Sequence, residues 1–203
     1  MNKRQLHHVW TRLRPVSYWY FIVLFLTFGF ISLLALRQNN LKAIELRDKV
    51  LQVDEANGDV EAALRELRGY VYSHMNAGLS GGEGSIKQPV QLKYRYERLV
   101  RAEKQRVSAI NEKVYTDAQV HCERLIPTGT IASRVPCVQD YVSKNTVNEK
   151  PIPDSLYKFD FAAPAWSPDL AGWSLVLTAV FGLLAIFRFL LEKYLKHTLH
   201  QHL

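Results

Sequence analysis

Cys122 and Cys137 are the only thiols among the 203 residues, and their type and spacing fit a disulfide, a redox couple or half of a metal site. The hydrophobic periodicity places Cys122 in the last turn of a long helix and Cys137 in the first turn of a short one, across a loop of about 15 residues. A bond there contributes roughly 3 kcal/mol on a loop-entropy estimate, a large share for a small core. A zinc site would need four ligands around one point. His121 adjoins Cys122 but points about 100° away from it on a helix, and His74 lies ~45 Å away at the far end of the long helices. The pair is therefore expected to be a disulfide, with no metal and no cofactor.

Other residues with chemical potential have plainer readings. His197, His200 and His202, with His7 and His8, are metal-binding types. In this context they read as a polar amphipathic tail at the membrane surface, with Leu195 and Leu199 facing lipid. The stretch Ala77 to Gln88 holds four glycines and two serines, Gly78, Ser80, Gly81, Gly82, Gly84 and Ser85. No Gly-Lys-Ser/Thr follows and no strand precedes it, so it reads as a flexible tip and not a phosphate cradle. There is no Ser-His-Asp order, no HExxH and no carboxylate pair in an apolar setting, so no enzyme is expected. Flanking the glycine segment, Tyr70, Val71, Tyr72 and His74 precede Tyr94, Arg95, Tyr96 and Leu99. Aromatics beside Arg favour protein or carbohydrate contacts, and at helical spacing they also make core. These eight are the candidate interaction residues.

Two elements must position all of this. Val16 to Leu36 and Leu170 to Phe187 carry no charge, and as helices each is long enough to cross a hydrocarbon core of about 30 Å. Residues 1–15 hold Lys3, Arg4, Arg12 and Arg14 without an acid, and 188–203 hold Arg188, Lys193 and Lys196 against Glu192. That leaves 19 basic and 18 acidic side chains for 37–169. Both basic tails belong in the cytoplasm by the positive-inside rule, and 37–169 is expected outside it. The basic excess is juxtamembrane and fits anionic headgroups better than nucleic acid. The first run is longer than a signal-peptide core, and Leu33 and Ala35 form no cleavage site, so it reads as an uncleaved anchor. Tyr18, Trp19, Tyr20, Trp166 and Trp173 read as interfacial aromatics.

The expected fold is mainly α. A basic tail (1–15), a span (16–36), an extracytoplasmic helical domain (37–169), a second span (170–187) and an amphipathic basic tail (188–203) follow in order. In the central domain, Leu41, Ile44, Leu51, Val60, Leu64, Leu67, Val71 and Met75 pattern a helix over about 38–76, with a kink at Asn57-Gly58-Asp59. Leu92, Tyr96, Leu99, Val107, Ile110, Val114, His121 and Leu125 pattern its partner over about 89–125. The two form an antiparallel hairpin of coiled-coil type with its tip at the glycines. A short helix over about 134–143, capped by Ser133, follows the turn Pro127-Thr128-Gly129-Thr130. Four prolines (Pro151, Pro153, Pro164, Pro168) and alternating Tyr157, Phe159 and Phe161 then read as a short edge strand or strap.

The runs Leu67 to Asn76 and Gln91 to Leu99 resemble a family of uncharacterised two-span membrane proteins of bacteria with reduced genomes, a family that supplies no function. Separately, Pro164 and Pro168 ahead of a span containing Gly172 and Gly182 are similar to the chain-length regulators of polysaccharide export. That similarity implies both termini inside, although those regulators carry a larger α/β exported domain. The leading expectation is a non-enzymatic interaction or assembly module of the cell envelope, partnered by the bilayer and by a second copy or an envelope protein. The alternatives are a sensing subunit, since helical hairpins resemble chemoreceptor sensor domains, and a polysaccharide copolymerase.

Overall fold

A computed structural model describes residues 17–79, 89–126 and 131–200, with side chains for all of these except 131–133 and 198–200. The turn at Pro127–Thr130, most of the glycine segment, the N-terminal tail, His200 and His202 lie outside the described residues or side chains. The helices are α1 (Tyr18–Glu55), α2 (Val60–Ser73), α3 (Lys93–Leu125), α4 (Ile131–Asn145) and α5 (Leu170–His200). Strands β1 (Val90–Gln91) and β2 (Lys158–Phe159) and a 3-10 turn (Asp154–Leu156) complete the described elements. The chain divides into two compact units. The first comprises 1–50, 61–87 and 160–203, and the second 51–60 and 88–159.

In the first unit, α1 and α5 each contain an apolar stretch long enough to cross a membrane, and only 11% and 17% of those stretches are buried within the protein. Core helices of that length would be largely covered by their own chain. The two helices meet along an antiparallel seam: Tyr18 lies edge-on to Phe189 at 5.7 Å, and Phe28 stacks on Phe181 at 5.5 Å. Small residues let the backbones approach. Ser32 and Ala35 on α1 and Ala171 and Ser174 on α5 are buried. A Cβ at Gly182 would stand 3.1 Å from the Phe25 ring. The Ser174 and Thr178 hydroxyls donate to carbonyls of their own helix, of Ala171 and Ser174. Leu195, expected to face lipid, is buried within the protein at 2% exposure.

Past its apolar part α1 continues to Glu55 and stops. The Val53 and Asp54 carbonyls accept the N–H groups of Gly58 (2.9 Å) and Asn57 (3.3 Å), the paired bonds of a helix end that requires one left-handed residue. Asn57 supplies it at φ 54°. A Cβ at position 58 would stand 3.2 Å from the Val53 side chain, which favours Gly58. The chain therefore reverses, and α2 returns along α1: Lys49 meets Glu66 at 2.6 Å, and Asn76 Nδ2 donates to the Leu36 carbonyl at 3.1 Å. Ala43, Leu46 and Val50 of α1 and Ala63, Leu64, Leu67 and Val71 of α2 are all buried. This corrects the expectation of one helix over 38–76 turning at the glycine segment. A satisfied left-handed helix end overrides the three-and-four pattern that continues through it, and the apolar seam of α2 is covered by this same chain.

In the second unit, α3 begins at Lys93 and not at Pro89, because Val90 and Gln91 pair antiparallel with Phe159 and Lys158. Leu92 N–H extends the pairing by donating to Tyr157 O at 2.8 Å. Leu92 caps α3 without a side-chain bond. A carboxylate from another helix serves instead. Asp54, 1% exposed, accepts the Tyr94 N–H at 3.0 Å on one oxygen and Arg98 Nη2 at 2.6 Å on the other, while Arg98 Nη1 donates to Asp54 O at 3.0 Å. An anion at this end also complements the helix dipole.

The Cys122–Cys137 disulfide joins α4 to the last turns of α3, with Cα atoms 6.0 Å apart. The link turns Ala118 and Cys122 inward and leaves Leu125, expected on the inner face, 62% exposed. Because α4 starts at Ile131, Ser133 lies inside it instead of capping it.

Removing Arg98 leaves a buried carboxylate with only backbone donors to meet it, so Arg98→Ala is expected to cost about 3 kcal/mol. Asp54→Asn keeps an acceptor for Tyr94 N–H and removes the charge, and is expected to cost about 1 to 2 kcal/mol. Denaturant titration of helicity in micelles checks the order. Negligible losses for both would show that the pair behaves as a surface contact.

Candidate functional site

The eight candidate residues fall into two sets. Tyr70, Val71, Tyr72 and His74 belong to the first unit, and Tyr94, Arg95, Tyr96 and Leu99 to the second. Val71 is fully buried and is core, which corrects its assignment as a contact residue. Tyr70 stacks on His74 with ring centroids 4.1 Å apart, and His74 Nδ1 lies 3.0 Å from Tyr70 O. Tyr72 is exposed and edge-on to Phe161 at 6.2 Å. In the other set, Tyr94 OH donates to Glu55 at 3.0 Å, a bond that raises the phenol pKa because the phenolate would lose it beside an anion. Tyr96 is exposed and sits 4.6 Å from the Tyr157 ring. Arg95 and Leu99 are half-buried. The single aromatic surface expected around the glycines is thus two groups of side chains, each with its own neighbours.

A polar knot in the first unit was missed on sequence grounds. The amide of Asn39, a buried residue, donates to Asp169 Oδ2 at 2.7 Å and to Met75 O at 3.2 Å. Met75 N–H donates to the buried Ser167 hydroxyl at 2.9 Å. Asp169 Oδ1 accepts Gly172 N–H at 2.9 Å, capping α5. Burial works to raise the Asp169 pKa, but the Gly172 N–H, the Asn39 amide, the Ser167 hydroxyl and the nearby His74 together bring it below the usual carboxylate value. Tyr70 moves the other way, raised first by burial and then by the Asp169 charge, with Lys42 opposing. Gly172 is forced by proximity: a Cβ there would lie 1.8 Å from the Ser167 carbonyl oxygen. The signal that would have found the knot is Ser167-Pro168-Asp169 directly ahead of an apolar run, a helix-start pattern.

In the second unit the faces of α3 and α4 enclose an open groove of about 580 Å³, lined by Tyr115, Gln119, Cys122, Val135, Val138 and Val142 among others. Tyr115 and Val135 are half exposed on its walls. Two contacts pin the chain after α4 onto α3. Asn111 exchanges bonds with Val147, donating to its carbonyl at 3.1 Å and accepting its N–H at 2.9 Å. Glu103 accepts Arg106 through two bonds (2.8 and 2.7 Å) and the Lys150 N–H at 3.0 Å. Those bonds, Arg106 foremost and then Lys150, hold the Glu103 pKa down to about 2.

Among the described residues, no three of His, Cys, Asp and Glu gather into a group that could hold a metal ion. Comparison with protein-family models, with curated proteins and with solved structures found no match. The geometry of the chain itself therefore carries the functional reading.

Because the folded pKa of Glu103 is depressed, its contribution is complete above the ordinary value near 4.5 and is lost as pH falls toward about 2. Following the Lys150 amide signal by NMR from pH 6 to 1 should show the clamp releasing with a midpoint near 2, and Glu103→Gln should abolish the transition. A midpoint at 4.5 in the native protein would mean that the clamp does not form in solution.

Proposed function

We propose that the protein is a non-enzymatic, membrane-anchored interaction or assembly module of a cell envelope. On this reading α1 and α5 cross the bilayer, both termini are cytoplasmic, and 37–169 lies outside. The four basic residues of the N-terminal tail and the net basic C-terminal tail support that orientation. An exported location also suits a disulfide, which persists in oxidising compartments.

The observation that carries the proposal is the α3–α4 groove. Tyr115 and Val135 expose apolar surface around it, and Glu123 and Arg134, 3.8 Å apart, add charge to its lining. An apolar centre with a polar rim is the composition of a contact surface. The disulfide holds the two helices together beforehand, which lowers the ordering cost of an association. The partner is an envelope protein or a second copy of the chain.

A photo-crosslinking side chain at Val135, in the full chain in native membranes, should give an adduct of discrete mass. The same probe at the exposed polar position Ser108 should not. No adduct at either position, with the protein migrating as a monomer, would overturn the reading. The orientation has its own check: a membrane-impermeant thiol reagent should label Ser108→Cys in intact cells and leave Lys193→Cys unlabelled, and the reverse pattern would refute it.

A further inference from the structure

The reversal at Asn57 changes where the end of α2 lies. Asn76 is bonded to the carbonyl of Leu36, the last residue of the first uncharged run, and Asn39 joins the carbonyl of Met75 to Asp169, the residue before the second. Met75 and Asn76 are therefore level with the two points at which the apolar helices leave hydrocarbon. Tyr72 precedes Met75 by three residues, which is about 5 Å along a helix. The headgroup layer on each side of a bilayer is roughly 5 to 7 Å thick. Tyr72 falls within that layer and not at the distal tip, where the sequence pattern alone puts it.

The side chains at this level share one character. Tyr72, Trp166, Leu170 and Trp173 are exposed, Phe161 lies edge-on to Tyr72, and Trp166 and Trp173 meet at 5.9 Å. Three separate segments contribute them: the end of α2, the linker before α5 and the first turn of α5. Tyr and Trp, with an apolar body and a polar handle, are the residues that settle at a membrane surface. Leu170 and Trp173 belong to the apolar helix itself, so a surface continuous with them faces lipid.

We infer that Tyr72, Phe161 and Trp166 form, with Leu170 and Trp173, a lipid-binding collar that seats the α1–α2 hairpin on the leaflet where 37–169 emerges, at the boundary between headgroups and acyl chains. The collar rests on the reading that α1 and α5 span the bilayer, and it goes beyond anchoring by spans alone. It makes the returning end of α2 part of the membrane surface. The Asn39–Asp169–Met75 knot holds the three segments at a common depth.

The test uses the full chain in phosphatidylcholine vesicles containing lipids with a nitroxide near the headgroup. Because Cys122 and Cys137 are bonded, a single added cysteine takes a fluorescent label without reduction. Labels go on Tyr72→Cys, which replaces one collar residue, and on Ala165→Cys, which by itself leaves all the aromatics in place. Asp48→Cys, about 18 Å along α1 from Leu36, is the aqueous reference, and Phe30→Cys, about 9 Å inside the run, is the buried one. Quenching by the lipid nitroxide at positions 72 and 165 is expected to exceed that at 48 at least threefold, with iodide in the water showing the reverse order. Equal quenching at 72, 165 and 48 alongside a lipid-quenched position 30 would overturn the collar and leave the spans standing. A position 30 quenched by iodide and not by lipid would overturn the spans and the collar together. Shielding of 72 and 165 from both quenchers would mean that a protein surface covers them, which also refutes the inference.

Discussion

Burying the Asp54 carboxylate is costly unless charge and donors meet it, and α3 supplies both. Its Tyr94 N–H would otherwise be an orphan of the first helical turn, and Arg98 brings the positive charge. Two deficits, a buried anion and an uncapped helix, are resolved by one contact. The geometry depends on α1 ending where it does: one turn more of helix, without the left-handed Asn57, would carry the chain past the point at which α2 can start its return. The order of β1 and α3 follows, since Leu92 must donate to Tyr157 while the next turn reaches Asp54.

The same economy of groups operates at the other end of α1. Asn39 has one amide and serves two carbonyl or carboxylate oxygens with it, from Met75 and Asp169. Asp169 in turn caps α5 through Gly172, whose missing side chain lets the Ser167 carbonyl approach. Farther along, alternation of small and aromatic residues sets the separation of α1 and α5, with Gly182 under Phe25 and Phe28 against Phe181. On the proposed reading that α1 and α5 cross a bilayer, their contact gains nothing from hiding apolar surface, and close packing of this kind is what remains to hold it.

What could be read from the residue pattern is what depends on composition over a long window. The two apolar helices are of that kind, as is the pairing of the only two cysteines, both displayed by the geometry. The hairpin was not legible in the same way. Asn57-Gly58-Asp59 is visible as an interruption, but whether it kinks or reverses the chain depends on one left-handed residue and two backbone bonds, which no periodicity encodes. Four glycines farther on offered a stronger turn signal, which drew the expected reversal away from Asn57. Asp54 and Asn39 were invisible for a related reason: in a chain rich in charge, a polar residue that will be buried looks like its solvated neighbours. Of the candidate site, Tyr96 belongs to the apolar pattern of the second long helix and yet is exposed, whereas Val71 fell on the buried face because α2 turned back onto α1.

Gly78 approaches Ala163 at 3.6 Å from a would-be Cβ, close to where Met75 is bonded to Ser167. The stretch from Gly78 to Ala163 thus forms a loop whose two ends are held together inside the first unit. The entropy of closing a loop grows only with the logarithm of its length, so lengthening this one by half would cost about 0.4 kcal/mol in closure. Insertions between those two points are accordingly cheap for the bonds that join Met75 to Ser167 and Asn39 to Asp169.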